Sequence, residues 1–317
     1  MIAWLMRVAG LVSLAVALQF AAGRAAAQYC PPSNITALSA TTMNVGTYDP
    51  FSATVPRIVT ITVTTTASCA ISLWFFRDPI TPIMTQGTSQ LTYQIEQVGG
   101  GNTYVGITGF LAPAANRFDI VTVGGQTVTR TVQVRVVASQ IVQSGAYSDT
   151  NVSMILASRS GGNWFLVRQT TVTPAATVAS VCRLDAPSPS SLAWTAVDIP
   201  RGVPNTAVVR NSTMTAACTA PTIVRLTGRA LALTPTAPAA SGFSNVINYR
   251  AIGTFGAATA TLNTTTTVTS ASSPTRNVAS GATTSGSVGV SVNLVAGGIA
   301  MAGTYTGVLT VTIDPNL

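Results

Sequence analysis

The feature that most constrains the fold is an apolar residue at every second position, repeated in many short stretches of the chain. Val59, Ile61 and Val63 alternate with threonines, and Val132 and Val134 alternate with polar residues in the same way. A period of two is the pattern of a strand with one buried face. No stretch after the N-terminal segment has a convincing 3.6-residue apolar period. Many short strands separated by glycine-rich turns predict an all-β fold, most simply as immunoglobulin-like sandwiches.

The last alternating stretch runs over residues 304–313, close to the end of the sequence. Leu309, Val311 and Ile313 fall on one face of this predicted strand, and Thr310 and Thr312 fall on the other. A closing strand normally has a neighbour on each side, and no later residues could supply the second one. An apolar edge left unpaired is a template for another chain. We therefore expect the missing neighbour to come from a different protein.

The N-terminus has the pattern of a secretory signal. Arg7 precedes an apolar run, and an Ala-Ala-Ala cleavage site ends at Ala27. A membrane anchor is the alternative interpretation, but the run is shorter than the roughly 20 residues that a spanning helix needs. We expect residues 1–27 to be removed and the mature chain to be exported, without an integral membrane segment.

The composition argues against the commonest enzyme chemistries. The chain has no histidine, which removes Ser-His-Asp catalysis and histidine-ligated metals. A glycosidase pair could be chosen from the 8 carboxylates, although each is more simply a turn or strand-end residue. The 16 basic residues are all arginines and are scattered singly, without the basic patch that nucleic-acid binding needs. We expect no enzyme activity, no cofactor and no nucleic-acid partner.

Four cysteines occur as two groups with similar internal spacing. This grouping favours disulfides between Cys30 and Cys69 and between Cys182 and Cys218, in an oxidising compartment. Four cysteines allow three connectivities in all. Free buried thiols are the alternative to disulfides.

A weak internal repeat divides the chain. Ser144-Gly-Ala-Tyr147 resembles Ala302-Gly-Thr-Tyr305, and the two cysteine groups recur at nearly the same spacing. This repeat predicts two related domains, at 28–158 and 174–317, with residues 159–173 between them. The Thr-rich segment 262–287 is either a long loop or an exposed strand pair.

Three motifs in the first half resemble the spore coat protein U family. Val45-Gly-Thr-Tyr-Asp-Pro50 is similar to the opening of that family, Leu91-Thr-Tyr-Gln-Ile95 to its middle motif, and Gly145-Ala-Tyr-Ser-Asp149 to its closing motif. The resemblance covers most of residues 30–156, whereas the second half carries only the closing motif and a cysteine pair. The family includes pilins of the archaic chaperone-usher pili.

The resemblance implies an immunoglobulin-like, pilin-type fold that lacks its last strand. In such pilins a periplasmic chaperone lends a strand, and the N-terminal extension of the adjacent pilin subunit replaces it after export through an outer-membrane usher. In this chain the C-terminal domain would accept that strand, and the implied donor-strand groove is formed by Tyr305, Leu309, Val311 and Ile313.

The lack of a donor extension extends this expectation to the tip of a pilus. Only Gln28 and Tyr29 would precede Cys30 in the mature chain, so the chain could accept a strand but not donate one, as in a tip adhesin on the cell surface. A misplaced cleavage site is the alternative explanation. A secreted coat or matrix protein that shares the fold without forming a fibre is the alternative function.

The segment between the predicted domains is a candidate donor strand for the first domain. It precedes Cys182 as a donor extension precedes the first cysteine of a pilin, and Trp164, Leu166 and Val172 have compatible parity. We expect it to pair with the closing strand of the first domain within the same chain.

Apolar residues near proline and glycine turns are candidates for an adhesive surface. We expect these tips to be formed by Ile80, Ile83, Met84, Phe110 and Leu111. Trp74 and Phe76 are more simply core residues of a strand, although Trp74 or Trp164 could stack on a sugar ring.

Overall fold

The computed structural model of the protein describes residues 29–104, 113–160, 163–265, 270–272 and 284–316. The predicted signal segment lies outside these residues. Across the described ranges the chain forms β-strands and loops, with short 3-10 turns at Pro32–Asn34, Ala114–Asn116 and Pro200–Gly202. No helix in these ranges is long and apolar enough to cross a membrane. The prediction of an all-β fold is confirmed.

The first half of the chain forms a sandwich of two sheets. Its strands are β1 (Ile35–Ala40), β2 (Asn44–Tyr48), β3 (Arg57–Thr65), β4 (Cys69–Arg77), β5 (Ile83–Gln86), β6 (Ser89–Gln97), β7 (Phe118–Thr122), β8 (Thr127–Val136), β9 (Gly145–Ser148), β10 (Val152–Ser160), β11 (Asn163–Val172) and β12 (Ala175–Val178). One sheet has the order β1-β3-β8-β6-β5-β9-β12-β2, and the other has the order β11-β10-β4-β7. Val59, Ile61 and Val63 are at most 1% exposed. The period-two pattern therefore identified the buried face correctly.

The second half forms a smaller sandwich with more irregular edges. Its strands are β13 (Cys182–Leu184), β14 (Val209–Cys218), β15 (Thr222–Gly228), β16 (Leu231–Thr234), β17 (Phe243–Ser244), β18 (Val246–Ile247), β19 (Tyr249–Phe255), β20 (Ala258–Asn263), β21 (Ser270–Ser272), β22 (Thr284–Leu294), β23 (Ile299–Ala300), β24 (Thr304–Thr306) and β25 (Leu309–Pro315). The main sheet has the order β13-β14-β22-β19-β20 and faces the sheet β21-β15-β25. The described parts of segment 262–287 belong to β20, to a turn at residues 264–265, to β21 and to β22.

The first sandwich extends further along the chain than the repeat predicted. β11 pairs antiparallel with β10 in one sheet, and β12 then crosses to the other sheet, where it lies between β9 and β2. Ala176 and Val178 of β12 are 2% exposed and belong to the first core. Residues 175–178 therefore close the first sandwich, although the sequence placed them in the second domain.

Both halves contain the same tyrosine corner. The hydroxyl of Tyr147 donates to the carbonyl of Gln143 at 2.7 Å, and that of Tyr305 donates to the carbonyl of Met301 at 3.1 Å. In each half the acceptor lies four residues before the tyrosine, and a glycine with positive φ lies two residues before it. This corner is characteristic of immunoglobulin-like sandwiches. It makes β10 and β25, which follow the two corners, equivalent strands.

The structure contains the two disulfides that the spacing favoured. Cys30 is bonded to Cys69 at the start of β4, and Cys182 of β13 is bonded to Cys218 of β14. They close loops with sequence separations of 39 and 36 residues. Closing loops of this length stabilises a fold by about 3 to 4 kcal/mol, mainly through the unfolded state.

A buried ion pair connects three separate segments of the first sandwich. Arg77 Nε donates to Asp149 Oδ2, and the two side chains are only 5% and 2% exposed. Tyr93 also donates to Asp149 Oδ2, at 2.8 Å. Burial and the neighbouring carboxylate raise the pKa of Tyr93, so its hydroxyl remains a donor. In the sequence Asp149 is the last residue of the closing motif, and nothing local shows that Arg77 and Tyr93 come to it.

Candidate functional site

The closing strand of the second sandwich is an edge strand. β25 pairs antiparallel with β15, from Leu309 opposite Gly228 to Pro315 opposite Thr222. No strand of the described residues pairs with its other side. An edge strand points the N–H and C=O groups of alternate residues away from its partner, and these groups can bind an added strand.

An open groove runs along the free side of β25 and has a volume of about 520 Å³. Residues 307–311 form one wall. The opposite wall is the segment that leaves β13 and runs back along β14, held by hydrogen bonds from Asp185 N to Thr215 O (2.9 Å) and from Ser188 N to Thr213 O (2.7 Å). The residues that line the groove are mostly apolar, and they include Leu184, Leu192, Trp194, Met214, Leu231, Tyr249, Val290, Val292, Leu309 and Val311. The site is therefore a hydrophobic channel with an unpaired backbone along one side.

Charge lies at one end of the groove only. Asp185 lines it and is paired with Arg183 at 3.3 Å, and Thr215 Oγ1 also donates to this carboxylate. Both charged side chains are about half exposed, so this ion pair contributes little to stability. Among the described residues, no group of three or more cysteine and carboxylate side chains is placed to hold a metal. The chemistry of the groove is apolar contact and backbone hydrogen bonding.

The first sandwich has a strand where the second has the groove. β10 pairs with β4 on one side and with β11 on the other, whereas β25 has only β15. The core-facing residues of β10, Val152, Met154 and Leu156, are 0% exposed. Leu309 and Val311 of β25 remain half-buried. The two equivalent strands therefore differ in whether a further strand covers their free side.

The predicted groove residues divide between the groove and its surroundings. Leu309 and Val311 line the groove. Ile313 lies in the core next to it and is 8% exposed. The assignment of Tyr305 to the groove is wrong, because Tyr305 lies in β24, which pairs with β16 in another sheet, and its hydroxyl bonds Ser244 O and Met301 O. The loop at Gly307 separates the corner from the groove strand.

The predicted internal donor is a strand beside β10, but two of its residues do not face the main core. A register shift between Leu156 and Ala157 leaves Val167 without a direct partner, and Val167 is the residue that becomes buried, at 7% exposure. Leu166 is 44% exposed, so its side chain does not face the core. Trp164 packs instead against a small cluster on the outer face that contains Trp74. Val172 packs against the main core.

The predicted adhesive tips also differ from one another. Ile80 is 44% exposed, and Ile83 is half-buried at the start of β5. Met84 is not a tip, because the strand begins one residue earlier and its alternation turns Met84 into the core at 0% exposure. Phe110 and Leu111 lie outside the described residues. Trp74 is fully buried, as its core interpretation predicted, and Phe76 is partly buried beside it.

The turn that carries Ile80 is anchored from inside the protein. Besides its bond to Asp149, the Arg77 guanidinium donates to the carbonyls of Pro79 and Ile83. One buried cation thus holds both ends of this turn, and the exposed Ile80 is presented on a fixed backbone.

Several groove residues were missed by the sequence patterns. Trp194 and Leu192 belong to a Pro/Ser-rich run that has no strand periodicity, so nothing marked them as a wall. Tyr249 precedes an alternating run, which showed that a strand was present but not which cavity its side chain lines. Only the alternation of Val290 with Val292 gave a signal for a buried face.

The sequence matches no protein-family model and no curated protein. Among solved structures it is similar to the complex of the chaperone CsuC with the tip subunit CsuE from archaic chaperone-usher Csu pili of Acinetobacter baumannii. The identity is 11%, the match covers 87% of this chain and 100% of that chain, and the TM-score is 0.37. It is also similar to a chaperone-tip adhesin complex of CFA/I fimbriae. The identity is 11%, the match covers 91% of this chain and 83% of that chain, and the TM-score is 0.30. For a mutant of the CFA/I adhesin CfaE from enterotoxigenic E. coli, the identity is 11%, the match covers 91% of this chain and 80% of that chain, and the TM-score is 0.28. Similarities of this size carry no functional conclusion by themselves.

Proposed function

We propose that this protein is an exported subunit of a chaperone-usher type pilus and acts as its tip adhesin in surface attachment or biofilm formation. The second domain accepts a donor strand, first from a periplasmic chaperone and then from the adjacent pilin subunit, after passage through an outer-membrane usher. The single observation that carries this proposal is the difference between the equivalent strands β10 and β25: the first is covered by β11 and the second borders an open groove.

Filling the groove is favourable for two reasons. An inserted strand removes half-buried side chains such as Leu309 and Val311 from water, at about 25 cal/mol per Å² of apolar area. It also pairs with the free backbone groups of β25, as in strand addition to a sheet edge. An exposed apolar channel of this kind is a liability for a protein without a partner and marks a contact site.

The first domain is suited to be the adhesive head. β11 and β12 come from the same chain and complete both of its sheets, so it needs no strand from another subunit. Its exposed Ile80 lies on a turn that Arg77 fixes from within. A self-complete head followed by a strand-accepting domain is the arrangement that a tip subunit requires.

The test uses the full-length protein in its own cells, with one groove variant and one matched control. Val311→Arg places a cation in the groove, whereas Thr312→Arg places the same group on the exposed opposite face of β25. We expect the wild-type protein and Thr312→Arg to appear in sheared surface fibres on immunoblots. Val311→Arg should be degraded in the periplasm.

The opposite outcome would support the alternative function. If wild type and Val311→Arg are secreted in equal amounts as stable monomers, the groove is not a strand acceptor. The protein would then be a self-sufficient secreted coat or matrix protein.

A further inference from the structure

The loop before the tyrosine corner of the first domain forms part of the contact between the two domains. Ser144 N donates to Thr219 O of the second domain at 2.6 Å. Ile141, in the same loop, lines a cleft between the domains, and the other side of this cleft includes residues 215–217 of β14. The first domain therefore contacts the second through this loop, which we call the first corner loop and define as residues 139–145.

The second domain has the same loop at residues 297–303, which we call the second corner loop. Counting back six residues from the corner tyrosine gives Ile141 in the first domain and Ile299 in the second. The next residue in each loop, Val142 or Ala300, packs against the core of its own domain. The two isoleucines therefore occupy equivalent positions. Ile141 is half-buried at the contact between the domains, whereas Ile299 is 44% exposed.

Ile299 belongs to an exposed apolar patch. β17 and β23 pair in parallel with Phe243 opposite Ile299, so the two side chains lie on the same face, and Phe243 is 49% exposed. Gly202 packs against Ile299, since a Cβ atom built on it would lie 2.7 Å from Ile299 Cγ2, and the adjacent Val203 is 48% exposed. We call Val203, Phe243 and Ile299 the corner patch. Exposed apolar residues that are grouped in this way mark a contact site.

The first domain shows at which end the chain of a donor strand continues. β11 runs antiparallel to β10, and Val172 at the end of β11 lies opposite Val152 at the start of β10. The chain therefore leaves β11 at the corner end and continues through β12 to the second domain. A strand that fills the groove in the same way leaves it near Leu309, at the start of β25. This end of the groove is the one next to the second corner loop.

We propose that the corner patch is the docking surface for the body of the adjacent pilin subunit, the subunit that supplies the donor strand. Ile299 takes the role that Ile141 has within this chain. Its partner is the segment around the second cysteine of that subunit, because the internal contact uses residues 215–217 and Thr219, on either side of Cys218. The inference rests on the strand-acceptor function proposed above and adds a second contact, outside the groove, to the same partner.

The experiment is photo-crosslinking of the full-length protein in cells that assemble surface fibres. The photoreactive residue p-benzoylphenylalanine replaces Ile299 in the corner patch, or Val308, which lines the groove and is 77% exposed. Crosslinked peptides from sheared fibres are identified by mass spectrometry. We expect position 308 to crosslink to the donor strand of the adjacent subunit, and position 299 to crosslink to the same subunit close to its second cysteine. The control position is Val98 of the first domain, which is 43% exposed and should give no crosslink to that subunit.

A substitution measures how much the corner patch contributes to the attachment. Ile299→Asp places a charge on the patch and leaves the groove intact, so the variant should still reach the fibre. In urea it should be released from sheared fibres about ten-fold faster than wild type, because the loss of interface contacts acts mainly on the dissociation rate. Val98→Asp should be released at the wild-type rate.

The outcomes separate the two proposals. If position 308 crosslinks to the donor strand but position 299 crosslinks to nothing, or to another part of the subunit, the groove accepts a strand and this inference is overturned. Equal release rates for Ile299→Asp and wild type overturn it as well. If neither position crosslinks to a pilin, the strand-acceptor function itself is wrong, and the docking surface is wrong with it.

Discussion

Replacing Asp149 with asparagine should destabilise the first domain far more than a single surface change does. Asp149 accepts hydrogen bonds from Arg77, from Tyr93 at 2.8 Å and from the backbone N–H of Asn151 at 3.0 Å. Asparagine can keep an acceptor oxygen but not the charge. Arginine cannot lose its proton in a protein, so Arg77 would remain a cation at 5% exposure without its anion. Breaking a buried pair on one side costs about 3 to 5 kcal/mol.

The assay is urea unfolding of the full chain with its disulfides intact, followed by tryptophan fluorescence. Trp194→Phe is the common background, because the described tryptophans that remain, Trp74 and Trp164, both lie in the first domain. With a slope of about 2 kcal/mol per M, Asp149→Asn should lower the midpoint by about 2 M. The control is Asp119→Asn. Asp119 forms an ion pair with Arg117 at 3.0 Å but is 61% exposed, so the shift should correspond to less than about 1 kcal/mol.

Equal shifts for Asp149→Asn and Asp119→Asn would refute this reasoning. A third variant tests whether the charge is the cause. Arg77→Met combined with Asp149→Leu removes both charges, and it should recover part of the loss, since it leaves no unpaired ion in the core. If the double variant is less stable than Asp149→Asn by a further amount of about 3 to 5 kcal/mol, the cost of breaking another buried pair, then packing and not electrostatics dominates the stability of this site.

Three further predictions concern groups outside this ion pair. The hydrogen bond from Arg135 lowers the pKa of Glu96. The stabilisation from ionised Glu96 is therefore complete above the unfolded pKa of about 4.3 and is lost as the pH falls through the lower folded pKa. The urea midpoint of wild type should fall more steeply below about pH 5 than that of Glu96→Gln. Gly228→Ala should destabilise the second domain, because its Cβ would clash with Tyr249 Oη, and adding Tyr249→Phe should restore part of the thermal midpoint. Tyr147→Phe removes the corner bond to Gln143 O and should cost the first domain about 1 kcal/mol in the same urea assay, whereas Tyr29→Phe, at an exposed ring, should leave the midpoint unchanged.

Alternation identified strands and their faces, because burial of one sheet face is a local property of the sequence. It found the core face of β3, and it placed Leu309 and Val311 on the inner face of β25. It failed where backbone irregularities change the parity. The register shift opposite Val167 exposes Leu166. Met84 had been chosen for its nearby turns, and the alternation of β5 turns it inward.

Long-range contacts could not be read from the sequence at all. Arg77, Tyr93 and Asp149 lie in three separate segments, and each has an ordinary local explanation as a strand-end, strand or turn residue. The wall that contains Trp194 has no periodicity, since its position depends on hydrogen bonds to β14 and not on its own strand pairing. Sites assembled from such segments become visible only in three dimensions.

Each domain has its own tyrosine corner and its own disulfide, yet the two domains differ in what determines their free energy of unfolding. The first domain is completed by β11 and β12, so its free energy of unfolding is a property of this chain alone. The second domain borders an open groove, and anything that binds there adds a stabilisation of RT ln(1 + [L]/Kd) to that domain only. The connection between them is short and tied down, with Thr219 bonded to Ala179 O and to Val181 N, and with Ser144 N bonded to Thr219 O at 2.6 Å. Under the proposed function, a donor strand therefore anchors the second domain to the pilus. The first domain is already folded, and the short connection holds it directly to the anchored second domain.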